Sequence, residues 1–192
     1  MKNSLKNIVK AFLVASTIFS TTALKAEKKD IKLDESKIEW KGYKVTGSHE
    51  GLISISSGHL NFEKGVLTSG SFEIDMSSIL VTDLEGESKG KLEGHLKSED
   101  FFGIEKYPTA FLKFSNVKST GKNSYEVTGD ITIKGKTETI SFDVSVYGSK
   151  ATASLKIDRT KFDVRYGSSS FFDGLKDKVI YDEFDLIVDL GF

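Results

Sequence analysis

"TISFDVSVY", residues 139–147, alternates without a break: Ile140, Phe142, Val144 and Val146 are apolar, and Ser141, Asp143 and Ser145 between them are polar. Successive side chains of an extended strand point to opposite faces, so this stretch reads as a strand with one dry face and one wet face. The same period returns on both sides of it. "EFDLIVDLGF" sets Phe184, Leu186, Val188, Leu190 and Phe192 against Asp185 and Asp189. "SYEVTGDITI" offers Val127, Ile131 and Ile133, "ATASLKID" offers Ala153, Leu155 and Ile157, and "GSFEIDM" offers Phe72, Ile74 and Met76. "AFLKFS" carries Leu112 and Phe114. Earlier, Ile38 and Trp40 mark one strand and Ile53 and Ile55 the next. Within "SSGHLNF" the apolar phase passes to Leu60 and Phe62, which predicts a bulge near Ser57 and Gly58.

Glycines punctuate these runs at positions 65, 70, 121, 135 and 148, giving about eight one-sided strands with no βαβ rhythm. One-sided antiparallel strands must bury their apolar faces together, in a sandwich or a closed barrel. A barrel removes both edges, and eight strands enclose room for one small ligand. The expected fold is all-β, about eight antiparallel strands in a sandwich or a barrel, with a short helix near residues 90–100. A long loop or short helix is expected near residues 165–178.

Those two segments break the alternation. In "KLEGHLKSEDFF", residues 91–102, Leu92, Leu96 and Glu99 fall on one helical face and His95 flanks it. Pro108 ends that segment ahead of the next strand. The second segment is "RTKFDVRYGSSSFFDGLKDK", residues 159–178. Both are candidate covers for the barrel opening.

Residues 1–26 have the build of a secretory signal peptide: Lys2, Lys6 and Lys10, the apolar "AFLVASTIFSTTAL", then "KA" before a charged stretch. Cleavage is expected after Ala26, leaving residues 27–192 as a single domain with 23 basic and 28 acidic side chains. That balance supplies no basic stripe for nucleic acid. After cleavage no integral membrane segment is expected. The chain has no cysteine, which excludes disulfides, thiolate metal sites, cysteine nucleophiles and an acylated N-terminal cysteine. The expected location is the periplasm or the cell exterior.

Chemistry is sparsely supplied. "GDITIKGKT" looks like a phosphate-binding loop, but five residues rather than four separate Gly129 from Gly135, and a hairpin rather than a helix follows. No G-x-S-x-G occurs. "YDEFD" and "FFDGLKD" match no calcium loop. His59 opposes Leu60 and Phe62 in phase and should face solvent, whereas His49 shares the phase of Ile53 and Ile55 and should point inward near one barrel end. His49 and His95 could serve a metal or haem site, yet no HxH or HExxH spacing supplies further ligands. The competing reading makes each imidazole a polar fastener at the barrel mouth. Asp158–Arg159 ends a strand; Arg159 would either form a buried ion pair fixing the long loop or contact an anionic head group. An enzyme acting on a lipid inside the barrel would need two titratable side chains converging in the cavity.

Five blocks then occur in order: "IEWKGYKVTGSHEGLISISSGHLNF", "GSFEIDMSSI", "KLEGHLKSEDFFGIEKYPTAFLKFS", "VTGDITIKGKTETISFDV" and "IDRTKFDVRYG". Together they closely resemble the YceI-like family of bacterial lipocalin-like polyisoprenoid-binding proteins, over roughly residues 30–192. The resemblance implies an extended eight-stranded antiparallel lipocalin-like barrel with a long apolar cavity that sequesters or carries a polyprenyl chain or similar amphiphile, without catalysis or cofactor. A homodimer is admitted as an assembly state. The family's conspicuous positions here are His49, Gly51, Gly94, His95, Leu96, Phe101, Phe102, Pro108, Asp158, Arg159 and Phe162; the segment "SSSFFDGLKDKVIYDEF" departs most from its pattern. Strand phase assigns the cavity lining to Trp40, Ile53, Phe72, Ile74, Leu112, Phe114, Ile131, Phe142, Val144, Leu155 and Leu186. His49, His95 and Arg159 are the expected polar contacts at the mouth.

Overall fold

The computed structural model describes residues 26–192; the segment read as a signal peptide lies outside them, apart from its last residue. Among the described residues nine strands form: β1 (Glu27–Asp30), β2 (Lys32–Lys44), β3 (Gly47–Glu63), β4 (Val66–Val81), β5 (Thr109–Gly121), β6 (Ser124–Ile133), β7 (Lys136–Tyr147), β8 (Lys150–Asp158) and β9 (Ile180–Gly191). All pairings are antiparallel, and β2 to β9 close into a ring through the β2–β9 and β3–β4 ladders. The expected eight-stranded barrel is thus present. β1 is additional: it pairs with Leu60 and its neighbours on the edge of β3 that β2 uses further along. "EKKD" carries no apolar alternation, so its pairing is a product of tertiary placement.

Turn chemistry sets the strand order. Lys134 and Gly135 both have positive φ, as do Lys64 and Gly65. Two left-handed residues in succession match the twist of the strands they join, and glycine enters that region without cost. "IKGKT" is accordingly the β6–β7 hairpin. The bulge in β3 falls at Ser56, between the pairs Ile55↔Ile74 and Ser57↔Glu73, next to the expected position.

The helix α1 (Gly86–Lys97) overlaps the short helix expected near residues 90–100, but it begins four residues earlier and stops at Lys97. Leu96 is buried, but Glu99 lies beyond the helix and is exposed, so it shares no helical face with Leu96. The reason is local: the Ser98 N–H and hydroxyl both turn back to the His95 carbonyl, ending the helix. Val81 N–H donates to Glu93 at 2.9 Å, tying α1 to β4. In the second interruption, 3-10 turns span Arg159–Phe162 and Lys176–Lys178 within an otherwise irregular loop.

Candidate functional site: an apolar barrel cavity

The inward faces of the ring pack into two clusters. At one end Leu60, Phe62, Leu67, Tyr125 and Phe192 are buried together, with the Phe62 and Phe192 rings 5.5 Å apart. Toward the other end Met76, Ile79, Ile133 and Ile157 meet Leu96 and Phe101 from the α1 segment, and Phe162 and Val164 from the long loop. Between the clusters the side chains leave a cavity of about 180 Å³. The interior is not filled, although close packing is the rule in protein cores.

All eleven residues assigned from strand phase line this cavity: Trp40, Ile53, Phe72, Ile74, Leu112, Phe114, Ile131, Phe142, Val144, Leu155 and Leu186. Leu96, Phe101 and Phe102 contribute from the α1 segment. No lining residue is titratable, and Thr152 is the one hydroxyl among them. Trp40, the one lining side chain with a polar nitrogen, spends it on the Leu52 carbonyl at 3.2 Å. Such a wall attracts apolar surface and offers nothing to orient a polar reactant. The pair of titratable groups that lipid chemistry would need is not found in the wall.

The three expected polar contacts stand apart from the cavity. His49 does not point into it: the Nδ1–H donates to Asp83 at 2.8 Å, and the Glu50 N–H reaches the other oxygen of the same carboxylate at 3.2 Å. Next to it Gly51, with no side chain, leaves room that the Trp40 indole fills from across the β2–β3 pair. Burial works to raise the Asp83 pKa, but the hydrogen bonds from His49 and Glu50 outweigh it and leave the carboxyl below its ordinary value.

His95 stacks edge-on against Phe101 and Tyr166, at centroid distances of 5.5 and 4.4 Å. Its Nε2 is buried without a hydrogen-bond partner. The ring joins the helix to the long loop. Thus His49 and His95 have separate partners, and among the described residues no three His, Asp or Glu side chains group in a way that could hold a metal ion. His59 is half-buried rather than free in solvent, because β1 lies beside it through Asp30.

Arg159 is 2% exposed, and its donors go to main chain: Nε to the Tyr181 carbonyl at 3.0 Å, Nη1 to Val164 at 2.7 Å and Nη2 to Ile180 at 2.9 Å. Its acidic neighbour is Asp182, 3.6 Å away, not Asp158, which instead caps the Thr160 N–H at 2.9 Å. Burial lowers the arginine pKa while Asp182 and Asp158 oppose the shift. The guanidinium is a clamp between the 3-10 turn and the start of β9. The buried ion pair expected to fix the long loop is thus formed with Asp182, and the remaining guanidinium donors go to main-chain carbonyls. These three acceptors are carbonyls, which no side-chain pattern announces.

The β7–β8 ladder is short. It runs only from Val144↔Ala153 to Tyr147↔Lys150, next to the sealed end. Farther along, the 3-10 turn Arg159–Phe162 packs against β7. The barrel wall is therefore completed there by loop packing rather than by strand hydrogen bonds.

Fold and cavity together define a closed antiparallel barrel of the lipocalin-like class with an apolar interior. A family model described as the YceI-like domain matches residues 30–192, and the chain belongs to that family. A UPF0312 protein of Pseudomonas putida (strain W619) is 31% identical over 150 residues, covering 75% of this chain and 74% of the relative. Among solved structures, BcnA of Burkholderia cenocepacia superposes with a TM-score of 0.67 at 27% identity, covering 83% of this chain and 98% of the other. A polyisoprenoid binding domain from Saccharophagus degradans, implicated in plant cell wall breakdown, superposes with a TM-score of 0.58 at 13% identity over 86% and 97% of the two chains. At that identity the likeness concerns the fold.

Proposed function

We propose that this protein is an extracytoplasmic, non-catalytic carrier that holds the tail of a long-chain amphiphile, a polyisoprenoid or similar lipid, inside the barrel. The observation that carries the reading is the cavity itself: about 180 Å³ bounded by aliphatic and aromatic side chains with no titratable group. The polyisoprenoid binding domain that shares the fold supports the choice of ligand class. The leader-like residues 1–26 support export to the periplasm or beyond.

The energetics favour recognition of the tail. Burying each methylene contributes about 0.8 kcal/mol, so affinity grows with each carbon of the tail that the barrel encloses. Lost rigid-body freedom and ordering of the chain oppose it by several to more than 10 kcal/mol. A tail long enough to outweigh those costs needs no head-group pocket, which agrees with the commitment of Arg159 and His49 to protein partners.

The test is to express the full chain in a bacterial host, purify it without detergent, extract it with organic solvent and identify the extract by mass spectrometry. About one isoprenoid or acyl lipid per chain is the expected result for a single internal site. A chain that emerges empty and refuses added polyprenols overturns the proposal.

A further inference from the structure

Several exposed apolar side chains gather on one loop cluster. Tyr166, Phe171 and Phe172 stand out from the 159–179 loop, Tyr181 from the start of β9 and Val45 from the β2–β3 turn, each roughly half exposed. Their backbones are connected. The Val45 N–H donates to the Val179 carbonyl at 3.1 Å, the Ile180 N–H to Gly167 at 2.8 Å, and the Phe171 and Phe172 N–H groups to Ser168. Ser168 is fully buried and Arg159 clamps Ile180 and Tyr181, so the aromatic side chains are displayed from an ordered support.

The cluster sits at the cover of the cavity. Tyr166 stacks on His95 of α1, and Phe101 and Phe102 just beyond that helix line the cavity. The opposite end is sealed by Phe62, Phe192 and their neighbours. Charge differs as well. Residues 159–178 carry five basic and three acidic side chains, against 23 and 28 for residues 27–192 together. Arg159 is buried, and Arg165 and Asp163 offset each other at 2.7 Å, so the exposed charges left in the segment are Lys161, Lys176 and Lys178 against Asp173 and Asp177. Aromatic rings interleaved with cations on an otherwise acidic molecule match the water–lipid boundary, where rings sit at head-group depth and cations meet anionic lipids.

We propose that the 159–179 loop, with Phe171 and Phe172 at its centre, docks on an anionic lipid bilayer and turns the covered end of the barrel toward it. This rests on the carrier reading for its purpose: a long apolar tail crosses water only at great cost, about 0.8 kcal/mol per methylene, so docking shortens its wet path. Docking itself is measured independently of lipid uptake.

The experiment is co-sedimentation of the purified chain with phosphatidylcholine vesicles, with and without phosphatidylglycerol. Binding is expected with phosphatidylglycerol, weakening as salt is raised. Phe171→Ser with Phe172→Ser should weaken it about ten-fold or more, since the buried apolar area sets the affinity. Tyr147→Ser, exposed on the barrel outside this cluster, should leave it unchanged. Circular dichroism and uptake of added polyprenol confirm that the double variant is folded. Vesicle binding by a chain that takes up no lipid supports docking and removes the carrier reading. Failure of the wild type to sediment, or equal binding by the double variant, overturns the proposal. So does a wild-type dimer that the double variant converts to monomer without any vesicle binding, which would assign the face to a second copy of the chain.

Discussion

Trp40 lies directly opposite Gly51 across the β2–β3 pair, and its indole occupies the space a side chain at 51 would need. A Cβ there would stand 2.7 Å from the Trp40 ring and 1.9 Å from the Leu80 carbonyl oxygen. The wall is thus shaped by one missing side chain and one large one. Gly51→Ala is expected to destabilise by about 1–3 kcal/mol, because an overpacked site must shift its neighbours. A chemical denaturation midpoint equal to wild type would show that Leu80 and Trp40 yield easily.

Ala153 faces the cavity opposite Val144, where the β7–β8 ladder ends. Ala153→Phe is expected to fill space that the ligand tail would occupy. Lipid recovered by extraction should fall several-fold, while stability changes by no more than about 1–3 kcal/mol in either direction. Undiminished lipid content with a folded barrel would place the ligand elsewhere.

Arg159→Met should cost about 3 kcal/mol or more, since the Val164, Ile180 and Tyr181 carbonyls lose their shared donor. Arg159→Lys should recover less than half, because one ammonium cannot reproduce a planar fork. Hydrogen exchange read across residues 176–182 checks it: exchange should speed there first. Uniform exchange throughout the barrel would argue against a local clamp.

Two carboxylates predict an acid limb. The Lys156 ammonium at 2.8 Å and the Tyr43 hydroxyl at 2.6 Å hold the Asp185 pKa below its ordinary value, and Asp83 is lowered in net as described. A depressed folded pKa gives stability that is complete above the unfolded value of about 3.9 and is lost as pH falls through the folded value. The urea midpoint should therefore drop below about pH 4, and Asp185→Asn should flatten that drop. The Tyr43 pKa is raised, first by its hydrogen bond to Asp185, so this contact stabilises below the unfolded tyrosine value of about 10 and is lost at higher pH. An acid limb identical in wild type and Asp185→Asn would show that other groups carry it.

Much of this was legible along the chain. In β6 to β9 the two-residue period places Ile131, Phe142, Val144, Leu155 and Leu186 on one face, because a strand has only two faces and water takes one. The same logic identifies Trp40 and Ile53 despite the irregular early strands, and it reads "IKGKT" as a hairpin. Period alone misplaces His49, since it assigns a face and takes no account of Asp83 waiting beside it. It also overextends α1 to Glu99, because the Ser98 bonds that end the helix outweigh a weak apolar stripe.

What the sequence by itself determined is a set of one-sided antiparallel strands and the apolar character of their inner face, since both follow from side-chain alternation that each strand carries locally. Tertiary structure alone decided which end is sealed, that the interior stays open, and that Arg159 serves the main chain. Those outcomes depend on contacts between residues far apart in sequence: Phe62 with Phe192, His95 with Tyr166, Arg159 with Ile180 and Tyr181. A carbonyl acceptor is the same in every residue, and an empty volume belongs to no residue. Neither leaves a mark in the order of amino acids until the ring of strands closes.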